Sequence, residues 1–149
     1  KEVIKSLEQN DKYEQKDGMD IALAVVEGDQ VSYSGAFSPL IHISEDKLNI
    51  IKADRMPIGN HYKSNGKPFT AHHFKVKKGD SIYLFSDGFQ DQFGGLEDKK
   101  YSTKKFRGLL HEIHKDGSEL QMERLHTEHK QWQKEGFQTD DVTVVGVKF

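Results

Sequence analysis

Between Ile21 and Phe85 the chain repeats one pattern: a short apolar run, a cluster of turn-forming residues, then another run. Regular spacing of that kind argues for antiparallel sheet rather than βαβ units. Ile21 to Val26 and Val31 to Ser34 read as strands joined through Glu27-Gly28-Asp29-Gln30. Leu40 to Ile43 and Leu48 to Ala53 form a second hairpin across Glu45-Asp46-Lys47. After a loop from Asn60 to Lys67, Thr70 to Val76 and Ser81 to Phe85 are expected to pair across Lys77-Lys78-Gly79-Asp80.

The sheet then gives way to helical spacing. Phe106, Leu109, Leu110 and Ile113 lie on one face of a helix predicted from Thr103 to His114, with Ser102 as its N-cap and Gly117 as its stop. Ser118 followed by Gln121 resembles a capping box for a second helix. Leu120, Met122, Leu125 and Trp132 give that helix a less regular stripe, and Gly136 ends it. A last strand runs from Val142 to Val147, its near-continuous valines suggesting burial on both faces. Val3 to Gln9 reads as the end of a helix, with Val3, Ile4 and Leu7 on one side.

Composition excludes several classes of function. With 22 basic and 24 acidic residues the net charge is −2, which gives no bulk attraction to nucleic acid. No cysteine is present, so a disulfide framework and a cysteine nucleophile are both excluded. No apolar run approaches the roughly 18 residues of a membrane span, and no signal peptide is visible, so a cytoplasmic location is expected. At 149 residues the length suits one domain.

Two acidic motifs abut apolar strands. Ser86-Asp87-Gly88 follows Ile82 to Phe85, and Thr139-Asp140-Asp141 leads into the final valine run. A carboxylate at the tip of a buried strand is held by rigid backbone while its head reaches solvent or a cation. Two such tips side by side make half a site for Mg²⁺ or Mn²⁺, which prefer carboxylate and water oxygens. The plain alternative is that these aspartates are turn and cap residues. Histidines compete poorly as ligands: His111/His114 and His126/His129 are spaced i, i+3, whereas zinc pairs on helices favour i, i+4, and no cysteine completes a set. His72 and His73 sit on opposite faces of a strand. Lys77-Lys78, Lys99-Lys100 and Lys104-Lys105 read as solvated surface.

Five landmarks now fall in order. They are Asp17-Gly18-Met19-Asp20 with Ile21 to Ala24, Tyr33 to Leu40, Met56-Pro57-Ile58-Gly59, Gly79 to Gly88, and Asp140 to Val145. Their order and spacing resemble the metal-dependent protein serine/threonine phosphatases of type 2C, in the bacterial branch named after the stage II sporulation protein E. The resemblance runs from about Asp17 to the C-terminus. It implies an α+β fold, an antiparallel β-sandwich flanked by helices in αββα layers. It also implies phosphoserine or phosphothreonine hydrolysis by a water activated between two Mg²⁺ or Mn²⁺ ions. Asp87 corresponds to the ligand at the Ser-Asp-Gly strand end, and Asp140 to the closing ligand, with Asp141 as its alternative. Gly88 lets the chain turn tightly after Asp87. Asp91, one helical turn on, is either a supporting acid or a solvated helix charge. Asp17 and Asp20 are better explained as a turn and strand entry than as ligands. The segment from Asp87 to about Gly95 resembles an element that couples regulatory domains to metal binding.

The chain departs from that family in its first part, where an Asp-Gly metal motif and a Gly-His-Gly-like turn are expected and neither occurs. Residues 1–16 are a charged lead-in or helix end, and residues 17–149 match only the C-terminal part of the domain, about 60% of a usual length. On this reading the fold is N-terminally truncated and the isolated piece is inactive. The expected partners are a phosphoprotein substrate resembling an anti-sigma antagonist and an upstream sensor or regulatory module, with no nucleic acid and no membrane span. Two other readings stand beside it: a non-catalytic interaction module that kept the fold, and a fragment paired with a second copy through an open sheet edge as a homodimer.

Overall fold

The first hairpin forms where the apolar runs and the turn cluster between them put it. In a computed structural model that describes residues 18–59 and 67–149, β1 (Ile21–Glu27) and β2 (Gln30–Ala36) pair antiparallel, from Ile21 against Ala36 to Glu27 against Gln30. The helix expected at Val3 to Gln9, Asp17 and most of the loop from Asn60 to Lys67 lie outside the described residues. β3 (Leu40–Ser44) and β4 (Lys47–Ile51) make the second hairpin. Its two turn residues, Glu45 and Asp46, both have positive φ (49° and 63°), the backbone that matches strand twist in a two-residue hairpin. The strands continue with β5 (His72–Lys75) and β6 (Ser81–Phe85), followed by a one-turn helix α1 (Gly88–Asp91) and a small hairpin of β7 (Phe93–Gly94) and β8 (Lys99–Lys100). Two longer helices, α2 (Thr103–Ile113) and α3 (Ser118–Gln133), precede the last strand β9 (Val144–Lys148). This is the expected mixture of antiparallel sheet and helix.

The chain divides into two compact units, Lys1–Leu40 with Ile50–Val76 and Ile41–Asn49 with Lys77–Phe149. The first holds a three-stranded sheet in the order β1-β2-β5. Val31, Tyr33 and Ala36 are buried, whereas Leu23 and Val25 on the edge strand β1 are exposed. His72 stacks on Tyr33 while His73 bonds Ser32 at 2.9 Å, so the two histidines do face opposite sides.

The second unit holds a four-stranded sheet in the order β4-β3-β6-β9 and the three helices found among the described residues. Ile41, Ile43, Tyr83 and Phe85 from the sheet pack with Phe89, Phe106, Leu109, Leu110 and Ile113 from the helices. Ser102 caps α2 as expected, its hydroxyl accepting from the Lys105 amide at 3.4 Å.

Four expectations fail here. β5 and β6 do not pair with each other; β5 joins β2 and β6 joins β3 and β9. The connecting residues bond elsewhere, Val76 N–H to the Asp29 carbonyl at 2.8 Å and Gly79 N–H to the Phe149 carbonyl at 2.7 Å, so no tight hairpin closes. Gly117 does not stop α2, which ends at Ile113; it is the N-cap of α3. Ser118 makes no capping box, because it is already inside α3 and the Gln121 side chain is buried, accepting from the Tyr83 hydroxyl at 2.8 Å and donating to the Asp116 carbonyl at 2.9 Å. Finally, β9 is not buried on both faces. It ends the sheet order, and packing covers only the Val144 side, leaving Val145 and Val147 51% and 40% exposed.

Asp80 anchors the start of β6. It is 2% exposed and bonds His42 Nε2 at 2.9 Å and the Lys77 amide at 3.2 Å. Burial pushes its carboxyl pKa up, but hydrogen bonds from His42, Ser44 and the Lys77 amide outweigh that and hold it below the ordinary value. A carboxyl with a depressed folded-state pKa stabilises fully above its unfolded value of about 4, and loses that contribution as pH falls toward the folded value. Asp80→Ala is therefore expected to cost about 1–3 kcal/mol near neutral pH. Urea titration from neutrality to pH 3 checks this, the wild-type advantage shrinking only below about pH 4.

Candidate functional site

β6 runs into the first acidic motif and β9 runs out of the second. Because the two strands pair antiparallel, ending with Phe85 opposite Val144, both motifs emerge at the same end of the sheet. Ser86 ties them together beyond the last strand pair. Its amide donates to the Thr143 carbonyl at 3.0 Å and its hydroxyl donates to the Asp141 carbonyl at 2.8 Å. The same hydroxyl oxygen accepts from the Thr143 amide at 2.9 Å.

Gly88 brings the two motifs closer still. A Cβ there would run into the Asp141 carbonyl oxygen, 2.8 Å from its carbon and 3.2 Å from the Asp140 carbonyl oxygen. The residue does not occupy the left-handed region. The glycine is thus required by close approach to the second motif rather than by the tight turn expected from the sequence.

The side chains divide as follows. Asp87 is exposed and precedes α1, yet it makes no side-chain capping bond, so the helix-cap alternative finds no support in its contacts. Asp140 Oδ1 accepts from the Asp141 amide at 2.7 Å, which orients that carboxylate, and Asp141 is held through its carbonyl. Asp91 turns to the small hairpin, paired with Lys100 Nζ at 2.8 Å. Exposed carboxylates suit a hard divalent cation. The count falls short of a complete site, since no group of three histidine, aspartate or glutamate side chains among the described residues could hold a metal. In the histidine pairs, His114 Nδ1 lies 2.5 Å from the His111 carbonyl, and His129 is buried.

The sequence pattern of one family accounts for nearly the whole chain. The model of the stage II sporulation protein E (SpoIIE) family matches residues 2–149. The chain belongs to the SpoIIE family. No curated protein sequence matches it closely enough to count as a relative. Among solved structures it resembles the SiaA-PP2C domain of Pseudomonas aeruginosa, with TM-score 0.74 and 24% identity over 81% of this chain and 47% of that one. It also resembles a structure of the PP2C phosphatase domain with a fragment of the regulatory domain of SpoIIE from Bacillus subtilis, with TM-score 0.67 and 18% identity over 87% of this chain and 37% of that one. The Mycobacterium tuberculosis serine/threonine phosphatase PstP/Ppp gives TM-score 0.58 and 16% identity, covering 88% and 60%. These likenesses show a protein phosphatase fold. The chain spans less than two thirds of each of these structures.

Within this SpoIIE-family chain, two positioning residues carry no sequence signal that singles them out. Ser86 enters the sequence reading only as the first residue of the Ser86-Asp87-Gly88 motif, yet it is the clasp between the strand ends. Gln92 is fully buried, and its side-chain amide donates to the Phe137 carbonyl at 2.9 Å while its oxygen accepts from the Thr139 amide at 3.1 Å. It fixes the path by which the chain reaches Asp140. No helix among the described residues is long and apolar enough to cross a membrane.

Proposed function

We propose that this chain forms part of a metal-dependent phosphatase acting on phosphoserine or phosphothreonine in a partner protein. The observation that carries the reading is the contact of Gly88 with the Asp140-Asp141 backbone, which holds two acidic strand ends together in a SpoIIE-family chain. Asp87 and Asp140, with Asp141 as the alternative to Asp140, would hold Mg²⁺ or Mn²⁺, and the remaining ligands come from outside the described residues. A solved Bacillus subtilis SpoIIE phosphatase domain was presoaked with Mn. When bound, a divalent pair supplies an activated water and neutralises phosphoryl oxygens. The chain's own part is positional: Ser86 and Gly88 fix the spacing of the strand ends, and Gln92 fixes the approach to Asp140. Asp91, neutralised by Lys100, steadies α1 against the small hairpin.

Family resemblance supports a small phosphoprotein substrate of the anti-sigma-antagonist kind and an upstream sensor or regulatory module. The absence of a three-ligand cluster among the described residues favours a second reading, a non-catalytic interaction module. One experiment separates them. Phosphate release from a phosphoserine protein is measured for a protein carrying this chain together with the rest of a phosphatase domain, with Mn²⁺ and with EDTA. Release that needs Mn²⁺ supports the enzyme. Release unaffected by EDTA sinks the metal assignment, and no release under either condition supports the non-catalytic module. Calorimetry on the 149-residue chain alone is expected to show Mn²⁺ binding weaker than micromolar, because no three-ligand cluster forms among the described residues.

A further inference from the structure

The three helices found among the described residues all belong to the second unit, and the first unit holds its sheet without one. On the face of that sheet opposite the buried Val31 and Tyr33, Ile21, Leu23 and Val25 stand at alternate positions of β1. They are 38%, 59% and 47% exposed. Their neighbours across the strand pair are small, Leu23 lying opposite Ser34 and Val25 opposite Ser32. A ridge of three large apolar side chains therefore borders a shallow trough floored by serines. No proline and no charge before Glu27 blunts β1, although it stands at the edge of its sheet. A continuous apolar row of this kind marks a contact surface.

The same chain carries a segment that matches it. Residues 3–9 read as helix, with Val3, Ile4 and Leu7 gathered on one side and Lys5, Ser6, Glu8 and Gln9 around the rest. Along a helix that stripe spans about 6 Å. Leu23 and Val25 stand about 7 Å apart along their strand. So short a helix is not stable alone in water and needs an apolar surface to form on. Residues 10–20 reach at most about 36 Å, more than the roughly 23 Å length of β1, so the segment can turn back over the strand that follows it. Asn10-Asp11 and Asp17-Gly18 supply turn chemistry for that reversal. A second copy paired edge to edge along β1 fits the face less well. It would satisfy the free backbone groups and leave the Leu23 and Val25 row uncovered.

We propose that residues 3–9 lie across this face as an intramolecular cover, Val3, Ile4 and Leu7 resting against Leu23 and Val25 above Ser32 and Ser34. The cover removes the ridge from water, and the ridge gives the segment the surface its helix requires. Neither half of this contact depends on the strand-end site.

The test exploits the absence of cysteine. Gln9→Cys, on the side away from the apolar stripe, carries a single nitroxide label in the full chain. Amide NMR is expected to show the signals of Ala22 to Val26 and Ser32 to Ser34 broadened, and restored when the label is reduced. Leu7→Glu places a charge in the contact and is expected to abolish the broadening. Leu23→Glu, at a position already exposed, is expected to do the same while the rest of the spectrum stays dispersed. Lys5→Glu, on the polar side, is expected to leave the broadening unchanged. A mixture of nitroxide-labelled chain with isotope-labelled, nitroxide-free chain separates the occupants, because an intramolecular cover broadens nothing there. Broadening in that mixture assigns the face to a second copy and overturns the proposal. Absence of broadening in the singly labelled chain overturns it as well, and so does broadening that survives both Leu7→Glu and Leu23→Glu.

Discussion

Asp87→Asn, in a protein carrying this chain with the rest of its phosphatase domain, is expected to lower phosphate release about a thousandfold. The carboxylate stands exposed at the end of β6 with no capping bond to α1, so its removal takes away a charge and leaves the local fold intact. An amide keeps the shape and one weak oxygen donor but supplies no negative charge to a divalent cation. Losing about 4 kcal/mol of transition-state stabilisation corresponds to about three orders of magnitude in rate. The control is Asp91→Asn. That carboxylate is already paired with Lys100, so its loss is expected to change the rate by less than about tenfold and the stability by less than about 1 kcal/mol. Steady-state phosphate release over a Mn²⁺ series distinguishes the two, because a lost ligand raises the Mn²⁺ concentration needed for half-maximal rate. If Asp87→Asn retained wild-type rate and Mn²⁺ dependence, the ligand role would be wrong. Asp140→Asn and Asp141→Asn in the same assay decide between the two closing aspartates.

The parts of this fold that local chemistry decides were legible in the sequence. A polar cap at Ser102 and four apolar residues at helical spacing placed α2 within one residue of its observed end. The two hairpins were legible because their apolar runs and the turn residues between them agree. Several landmarks also acquire physical reasons. At Gly35 a Cβ would lie 2.6 Å from the Ser38 carbonyl oxygen, to which Tyr33 donates its hydroxyl, so that stretch folds tightly on itself. Met19 and Ile58, from two different landmarks, exchange backbone hydrogen bonds of 2.9 Å.

Choices made by distant residues were not legible. Turn grammar at Lys77 to Asp80 is the same whether the next strand folds back or joins another sheet; the partners that decide it, Asp29 and Phe149, lie far away in sequence. Gln121 matched a cap by spacing because nothing local says that Tyr83 will need its oxygen. The valines of β9 read as doubly buried because composition reports apolarity and not position within a sheet. For the candidate site, both acidic motifs could be picked out, yet their juxtaposition depends on β6 pairing with β9, and Gln92 gave no sign at all of its role.

Gly88→Ala tests that juxtaposition without touching any carboxylate. The added methyl cannot fit beside the Asp141 carbonyl group. The obstacle is backbone, held in turn by Ser86 and by the strand pair behind it, so it cannot swing aside as a side-chain tip would. The two strand ends must separate. Overpacking of this kind costs about 1–3 kcal/mol, and a displacement near 1 Å at a catalytic centre can cost about a hundredfold in rate. The expected result is a phosphate-release rate down about a hundredfold at saturating Mn²⁺, with a folded protein unfolding at lower urea. Ser86→Ala is expected to act in the same direction more weakly, since it removes hydrogen bonds of about 1 kcal/mol each and inserts nothing. Helix propensity opposes the Gly88 effect, because alanine in α1 would favour the helix by about 1 kcal/mol. A Gly88→Ala protein more stable and fully active would mean that the strand ends can move apart freely, and that their spacing is not what the site depends on.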